Sequence, residues 1–104
     1  MVRGTTPTYI LTLPQEIDLS VADDIYVTFS NKQYQILLTK SGDDLEIEAN
    51  TIKVFLTQEE TLSMPRCEVY MQVNWIYDDG EVRKRACSVI KEVPVRRNLI
   101  DEVL

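Results

Sequence analysis

The stretch VYMQVNWIYDDGEVRKRACSVI, residues 69–90, decides the fold class of this 104-residue chain. Asp79-Gly80 is a strong hairpin signal, because a type I′ turn needs positive φ at both central residues. With that turn, Trp75 lies opposite Lys84. Side chains alternate between the faces of a strand, so the apolar row is inward and the polar row faces water. The inward row is Val69, Met71, Val73, Trp75 and Tyr77; the outward row includes Tyr70, Gln72, Asn74, Arg83, Arg85 and Lys91.

Residues 26–38 are predicted to form a second hairpin around an Asn31-Lys32 turn. In this register Phe29 faces Tyr34, and the apolar side chains of both strands share one face. They are Ile25, Val27, Phe29, Tyr34, Ile36 and Leu38. A register error of one residue would scramble this face, so the agreement supports the pairing.

Residues 45–65 are predicted to form a third hairpin followed by one helical turn. With Ala49-Asn50 as the turn, Ile47 faces Ile52 and the charged residues point outward. The sequence TQEE from Thr57 is a capping box, which predicts a short helix before Pro65.

The spacing of these elements is typical of an all-β protein. Together with a strand at residues 9–13, the hairpins give about seven short strands with turn signals every 8–12 residues. That pattern indicates a single antiparallel β-sandwich domain over residues 1–104, with one short helical turn. A small β-barrel is the alternative.

Charge and composition disfavour several classes of function. The chain has 17 acidic and 11 basic residues, for a net charge of −6, which disfavours nucleic acid and anionic membranes as partners. No apolar run is long enough to span a membrane. The first residues lack the apolar core of a signal peptide, so we expect synthesis in the cytoplasm.

No catalytic, cofactor-binding or metal-binding residue is predicted, so we do not expect an enzyme. The chain has no histidine, which removes the commonest general base and the commonest metal ligand. The adjacent carboxylates, such as Asp78-Asp79, fall in predicted turns, where Asp hydrogen-bonds its own backbone. Cys67 and Cys87 match no zinc spacing. The hairpin register separates them by about 17 Å, so two free thiols in or near the core are expected.

Three segments carry a resemblance to a known family. They are VRGTTPTYILTLP (residues 2–14), NTIKVFLTQEET (residues 50–61) and RRNLIDEVL (residues 96–104). The chain resembles small proteins encoded in tailed phages and prophages of Gram-positive bacteria. It is also similar to the N-terminal domain of phage baseplate upper proteins, although it lacks the further domains of a full baseplate protein.

The resemblance implies an immunoglobulin-like sandwich and a structural role in a virion, and the family offers no catalytic residues. It implies a tail- or baseplate-associated protein that is carried in the virion and acts by protein–protein assembly. Its expected partners are other phage tail or baseplate subunits, with homo-oligomer formation as an option. The alternative function is a carbohydrate- or cell-surface-binding β-sandwich module, which an exposed aromatic patch would favour.

Two segments are candidates for assembly contacts. The strand that contains Tyr9 and Leu11 is predicted to be an edge strand that starts after Pro7, and an edge can add strands across subunits. Residues 98–104 are predicted to form a short docking helix capped by Asn98. Its apolar stripe consists of Leu99, Ile100, Val103 and Leu104. This stripe either packs back on its own sandwich, orders against a neighbouring subunit, or stays disordered.

Overall fold

The chain folds into two antiparallel β-sheets that pack face to face around one hydrophobic core. The computed structural model describes all residues 1–104. Single 3₁₀ turns at Leu19–Val21 and Gly42–Asp44 lie in two of the connections that cross between the sheets. The strands are β1 (Thr8–Thr12), β2 (Asp24–Ser30), β3 (Ile36–Ser41), β4 (Leu45–Glu48), β5 (Thr51–Phe55), β6 (Val69–Asp79), β7 (Val82–Cys87) and β8 (Lys91–Val93), and helix α1 (Gln58–Leu62) precedes β6.

The strand order confirms the predicted antiparallel immunoglobulin-like β-sandwich. One sheet has the order β1-β5-β4; the other has the order β3-β2-β6, with β7 and β8 paired in succession along the far side of β6. This order corresponds to strands B-E-D and C′-C-F-G of an immunoglobulin-like sandwich, without strand A. The sheets share no strand, so the architecture is not a barrel. There are eight strands because the last long strand is divided into β7 and β8.

Strand β6 supplies the centre of the core through strict alternation. Val69, Met71, Val73 and Trp75 are all buried, whereas the residues between them are half-buried on the outer face. On its other side β6 pairs with the whole of β2, which buries Phe29. Burying side chains of this size contributes roughly 1.5–3 kcal/mol each.

The hairpin of β4 and β5 has the predicted register. Leu45 pairs with Val54 and Ile47 with Ile52, so both inner rows face the other sheet. Ala49 at the turn has a φ of +53°, an uncommon conformation for a residue with a side chain. The Asn50 side chain then donates to the Leu13 carbonyl at 2.5 Å, which ties this turn to the end of β1.

The β6–β7 hairpin forms, but its predicted register is wrong by two residues. Asp79 pairs with Val82, so the turn is Gly80-Glu81 and Trp75 faces Ala86 instead of Lys84. Only Gly80 has a positive φ, of +67°, as the first position of a type II′ turn requires. A shift of two residues keeps every side chain of β7 on its predicted face, and Trp75 remains buried. Along β8 the shift is three residues, because Val69 pairs with Val93 and Met71 with Lys91. The prediction that Lys91 belongs to the outward row is therefore wrong, since Lys91 lies opposite the inward Met71.

The predicted Asn31-Lys32 turn is wrong. Phe29 pairs with Leu38 instead of Tyr34, because residues 31–35 form a longer loop. The Asn31 Oδ1 atom accepts hydrogen bonds from the backbone N–H groups of Gln33 and Gln35, at 3.0 and 2.9 Å, and so organises this loop. Tyr34 and Ile36, which were expected to face inward, are therefore exposed by 67% and 71%.

Helix α1 begins with the predicted capping box and forms an ion pair with strand β3 of the larger sheet. The Thr57 side chain accepts from the Glu60 N–H, and Glu60 Oε1 accepts from the Thr57 N–H. The same Oε1 atom lies 2.7 Å from the Nζ atom of Lys40, a buried residue of β3. Burial raises the pKa of Glu60, but hydrogen bonds from Lys40 and Thr57 outweigh it and hold the pKa below its ordinary value.

Both cysteines are free thiols, as predicted. Cys67 lies just before β6 and Cys87 ends β7, and both side chains are exposed instead of lying in or near the core. The sandwich therefore has no counterpart of the disulfide that joins the two sheets of antibody domains.

Replacing Trp75 tests the position of the core. Trp75→Ala is expected to lower the free energy of unfolding by about 3–5 kcal/mol, because it leaves a cavity between the sheets. Ile36→Ala, which truncates an exposed residue, is the control and is expected to cost less than about 0.5 kcal/mol. Urea unfolding followed by circular dichroism measures both values. A loss below about 1 kcal/mol for Trp75→Ala would contradict its core position.

Candidate assembly surface

The C-terminal segment, residues 98–104, is irregular, with bends at Leu99, Ile100 and Glu102, so the predicted helix is wrong. Asn98 Oδ1 does accept from the Ile100 N–H, at 3.3 Å, but no helical turn follows this cap-like contact. None of the four apolar side chains belongs to the core. They are all exposed: Leu99, Ile100, Val103 and Leu104.

Polar contacts hold this segment against the domain. Arg3 Nη1 donates to both carboxylate oxygens of Asp101, at 2.5 Å each, and Arg66 adds a contact at 3.1 Å. Near the end of the segment, Gln58 and the backbone of Leu104 exchange two hydrogen bonds, of 2.8 and 3.3 Å. The segment is thus fixed at two points while its apolar side chains stay in solvent.

Arg3 is the anchor of this arrangement because its guanidinium is largely buried. Its Nε atom donates to the Met64 carbonyl at 3.1 Å and its Nη2 atom donates to the Leu62 carbonyl at 2.5 Å. Its own carbonyl accepts from the Asn98 amide at 3.0 Å. Carbonyl groups at and just after the end of helix α1 therefore hold the Arg3 side chain in position to bind Asp101.

The ion pair makes the docking of this segment depend on pH. The hydrogen bond from Arg3 lowers the pKa of Asp101; partial burial opposes this, and Arg66 lowers the pKa further. A carboxyl whose pKa is lower in the docked state stabilises that state above its ordinary pKa. The contribution is lost as the pH falls through the lowered value.

Strand β1 is an edge strand, as predicted, and its side chains divide between two faces. Tyr9 and Leu11, the candidate assembly residues, are half-buried and pack on the core. The ring of Tyr9 lies 6.4 Å from that of Phe29, and burial raises the pKa of its hydroxyl. The outward residue is Ile10, which is 62% exposed. Ile10 alternates with the half-buried Tyr9 and Leu11, so it lies on the opposite face of the strand.

The outer face of the larger sheet carries a second candidate surface, which sequence reasoning missed. Tyr34 stacks on Tyr70, with ring centroids 5.2 Å apart and planes inclined by 19°. Lys32 Nζ lies 4.7 Å from the centre of the Tyr70 ring. We call the surface beside this pair the outer groove; it is lined by Thr28, Ser30, Tyr34, Ile36, Tyr70, Met71, Gln72, Asn74, Arg85 and Ile90.

The basic cluster of β7 lies among carboxylates. Arg83 forms ion pairs with Asp23 at 2.8 Å, Asp78 at 3.3 Å and Asp24 at 3.6 Å. Lys84 pairs with Asp79 at 2.6 Å. The carboxylate pairs of the sequence thus contact basic side chains at the turn of this hairpin.

Comparison with protein-family models and with curated proteins gives no match. The structure holds no group of three or more His, Cys, Asp or Glu side chains arranged to bind a metal ion. None of its helices has the length and apolar character needed to cross a membrane.

Neutralising Asp101 tests how the C-terminal segment is held. Asp101→Asn is expected to release residues 98–104 at neutral pH, because the charge-assisted bonds to Arg3 and Arg66 are weakened. Backbone ¹⁵N relaxation should then show order parameters falling below about 0.6 in this segment. Glu102→Gln removes the same charge from the adjacent residue, which has no ion-pair partner, and should leave the segment ordered. Equal order parameters in both variants would contradict the anchoring role.

Proposed function

We propose that this protein is a structural subunit that acts by protein–protein assembly, in the tail or baseplate of a phage or prophage virion. The observation that carries the proposal is the C-terminal segment, which is fixed by Asp101 yet exposes four apolar side chains. The resemblance in residues 2–14, 50–61 and 96–104 supplies the virion setting. The chain would be made in the bacterial cytoplasm and carried in the virion.

The exposed segment supports assembly on energetic grounds. Isolated exposed apolar residues are common on soluble proteins, but a group of four within seven residues is typical of an interaction site. Leu99 is fully exposed and Leu104 nearly so, so a partner would remove most of their area from water. Because two polar contacts already order the backbone, binding would cost less conformational entropy than docking a free tail.

The expected partners are other tail or baseplate subunits. The net charge of −6 supports a protein partner over nucleic acid or an anionic membrane. Of the basic cluster of β7, Arg83 and Lys84 are paired with carboxylates, so Arg85 is the one cation of this strand without a carboxylate partner.

A chain that ends at Arg97 tests this function. It should keep its melting temperature within a few degrees, because none of the removed side chains belongs to the core and Arg3 keeps its hydrogen bonds to the Leu62 and Met64 carbonyls. It should also be depleted from gradient-purified virions of the phage that encodes it, as measured by quantitative mass spectrometry. Incorporation equal to that of the full chain, or absence of the full chain from virions, would overturn the proposal.

Two matched double variants distinguish the effect of the C-terminal segment from the effect of exposed apolar residues elsewhere on the surface. Leu99→Ser with Leu104→Ser should reduce incorporation like the truncation. Val21→Ser with Val82→Ser removes two exposed apolar side chains elsewhere and should leave incorporation unchanged.

The outer groove favours a second candidate function, the binding of a saccharide. Tyr34 has a φ of +63°, a strained conformation for a tyrosine, and such strain often marks functional sites. Its exposed ring offers an apolar platform on which the C–H face of a sugar could lie. Arg85 is held by two bonds to Asn74 Oδ1, at 3.1 and 3.0 Å, and has no carboxylate partner. An unpaired guanidinium favours an acidic saccharide.

A glycan array with neutral and acidic cell-surface saccharides tests the second candidate. Tyr34→Ala should abolish binding, and Arg85→Gln should weaken binding of acidic saccharides about tenfold to a hundredfold, as expected for a lost bond to a charged group. Arg83→Gln, on the same face of β7 outside the groove, is the control. If no saccharide binds the unaltered protein, this candidate is wrong.

A further inference from the structure

The outer edge of β1 presents backbone groups that no other part of the chain engages. Leu13 N–H donates to Asn50, and Leu56 N–H donates to Pro7, so the odd-numbered residues around β1 bond toward β5. Because successive peptide groups of a strand point in opposite directions, the even-numbered residues point away from β5. The free N–H and C=O groups therefore belong to Thr8, Ile10 and Thr12.

The space beside this edge is the position of a missing strand. In a constant-type immunoglobulin sandwich strand A lies next to strand B, whose place β1 takes here. The chain before β1 does not fill that position, because Val2 instead makes a single parallel bridge with Arg96. A groove of about 160 Å³ opens at this edge between the two sheets; it is lined by residues 10–13 on one side and by Met71, Gln72, Val73, Ser88, Val89 and Lys91 on the other.

Charge distinguishes β1 from the edges formed by β4, β7 and β8. Strand β4 carries Glu46 and Glu48, and β7 and β8 carry charges of their own, whereas the one charge of β3, Lys40, is buried against Glu60. Charged residues on an edge strand oppose pairing with another copy of the same strand. The sequence TYILT of β1 has no charged residue, so two copies of it can meet without repulsion.

We propose that two copies of this protein pair through β1, antiparallel and about a two-fold axis at Ile10. In this register Ile10 faces Ile10 of the second copy, and Thr8 faces Thr12 of the second copy. The two three-stranded sheets join into one sheet of six strands. This pairing deepens the proposed assembly function and rests on it, since it names a second copy as one partner.

The register of the pairing follows from which backbone groups of β1 point outward, namely those of the even-numbered residues. Ile10 directs both its N–H and its C=O outward, so two copies related by a two-fold axis exchange two hydrogen bonds at this residue. Its exposed side chain is uncharged and meets an identical one across the axis. Val89, which is also exposed beside the groove, lies where the second copy would cover it.

A charge at the axis tests the pairing. In sedimentation equilibrium from micromolar to millimolar concentration, the unaltered protein should form a dimer. Ile10→Lys places like charges opposite each other and should weaken the dimer at least tenfold. Ile36→Lys introduces the same charge at an exposed isoleucine of the edge strand β3 and should leave the dimer unchanged. Melting curves of both variants confirm that each is folded. A dimer that survives Ile10→Lys, or is lost equally in both variants, overturns the proposal.

Cross-linking tests the register directly. Directly opposed hydrogen-bonded residues have Cα atoms about 5.5 Å apart, within the range of a disulfide. With Cys67 and Cys87 replaced by serine, Ile10→Cys should form a covalent dimer under mild oxidation, whereas Ile36→Cys should not. Absence of the cross-link at position 10 in a sample that sediments as a dimer overturns the β1 register.

The chain ending at Arg97 distinguishes a failure of the β1 pairing from a failure of the proposed assembly function. A chain ending at Arg97 should still dimerise, because β1 is intact. If the full-length protein is incorporated into virions through residues 98–104 but stays monomeric at millimolar concentration, the pairing is wrong and the assembly function stands. Dimerisation of a protein that never enters virions supports the pairing and overturns only the virion setting.

Discussion

The alternation of β6 is the constraint on which the rest of the structure depends. This strand pairs with β2, β7 and β8, so its register fixes the position of the whole larger sheet. A shift of one residue would turn Trp75 to solvent and drive Asn74 into the core. The same alternation builds the outer groove, because Gln72 and Asn74 must then face outward. There they bond to Ser88 and Arg85, so the core and the outer surface follow from one pattern.

The sequence predicted those parts of the fold that local chemistry determines. The β4–β5 hairpin and the capping box of α1 depend on neighbouring residues, and both formed as expected. The predicted β2–β3 register was wrong because the Asn31 side chain accepts hydrogen bonds from backbone N–H groups that a two-residue hairpin would use in the strand ladder. The alternation of residues also could not predict that Lys40 is buried, since its partner Glu60 lies on a distant element.

The candidate surfaces were harder to predict because they depend on contacts between distant segments. The spacing of Leu99, Ile100 and Val103 suits a helix, yet the ion pair between Asp101 and Arg3 joins residues 98 positions apart, and the segment is irregular. Helix propensity over seven residues is too weak to oppose such contacts. The edge position of β1 was predictable from its composition. Which of its residues face outward required the position of the core.

The core of the sandwich is closed without a strand at the position of strand A, and this closed core determines what an added strand would contribute. Tyr9 and Leu11 already pack on the core, and Val54 behind them is fully buried, so the chain does not need a partner strand to fold. A strand added beside β1 would therefore contribute backbone hydrogen bonds and modest apolar contact. Such an interface is weak between free molecules, but the high local concentration of subunits in an assembled particle favours it. The uncharged edge thus suits a contact that forms within an assembly, while the exposed charges of β4 and β7 oppose pairing of those edges with copies of themselves.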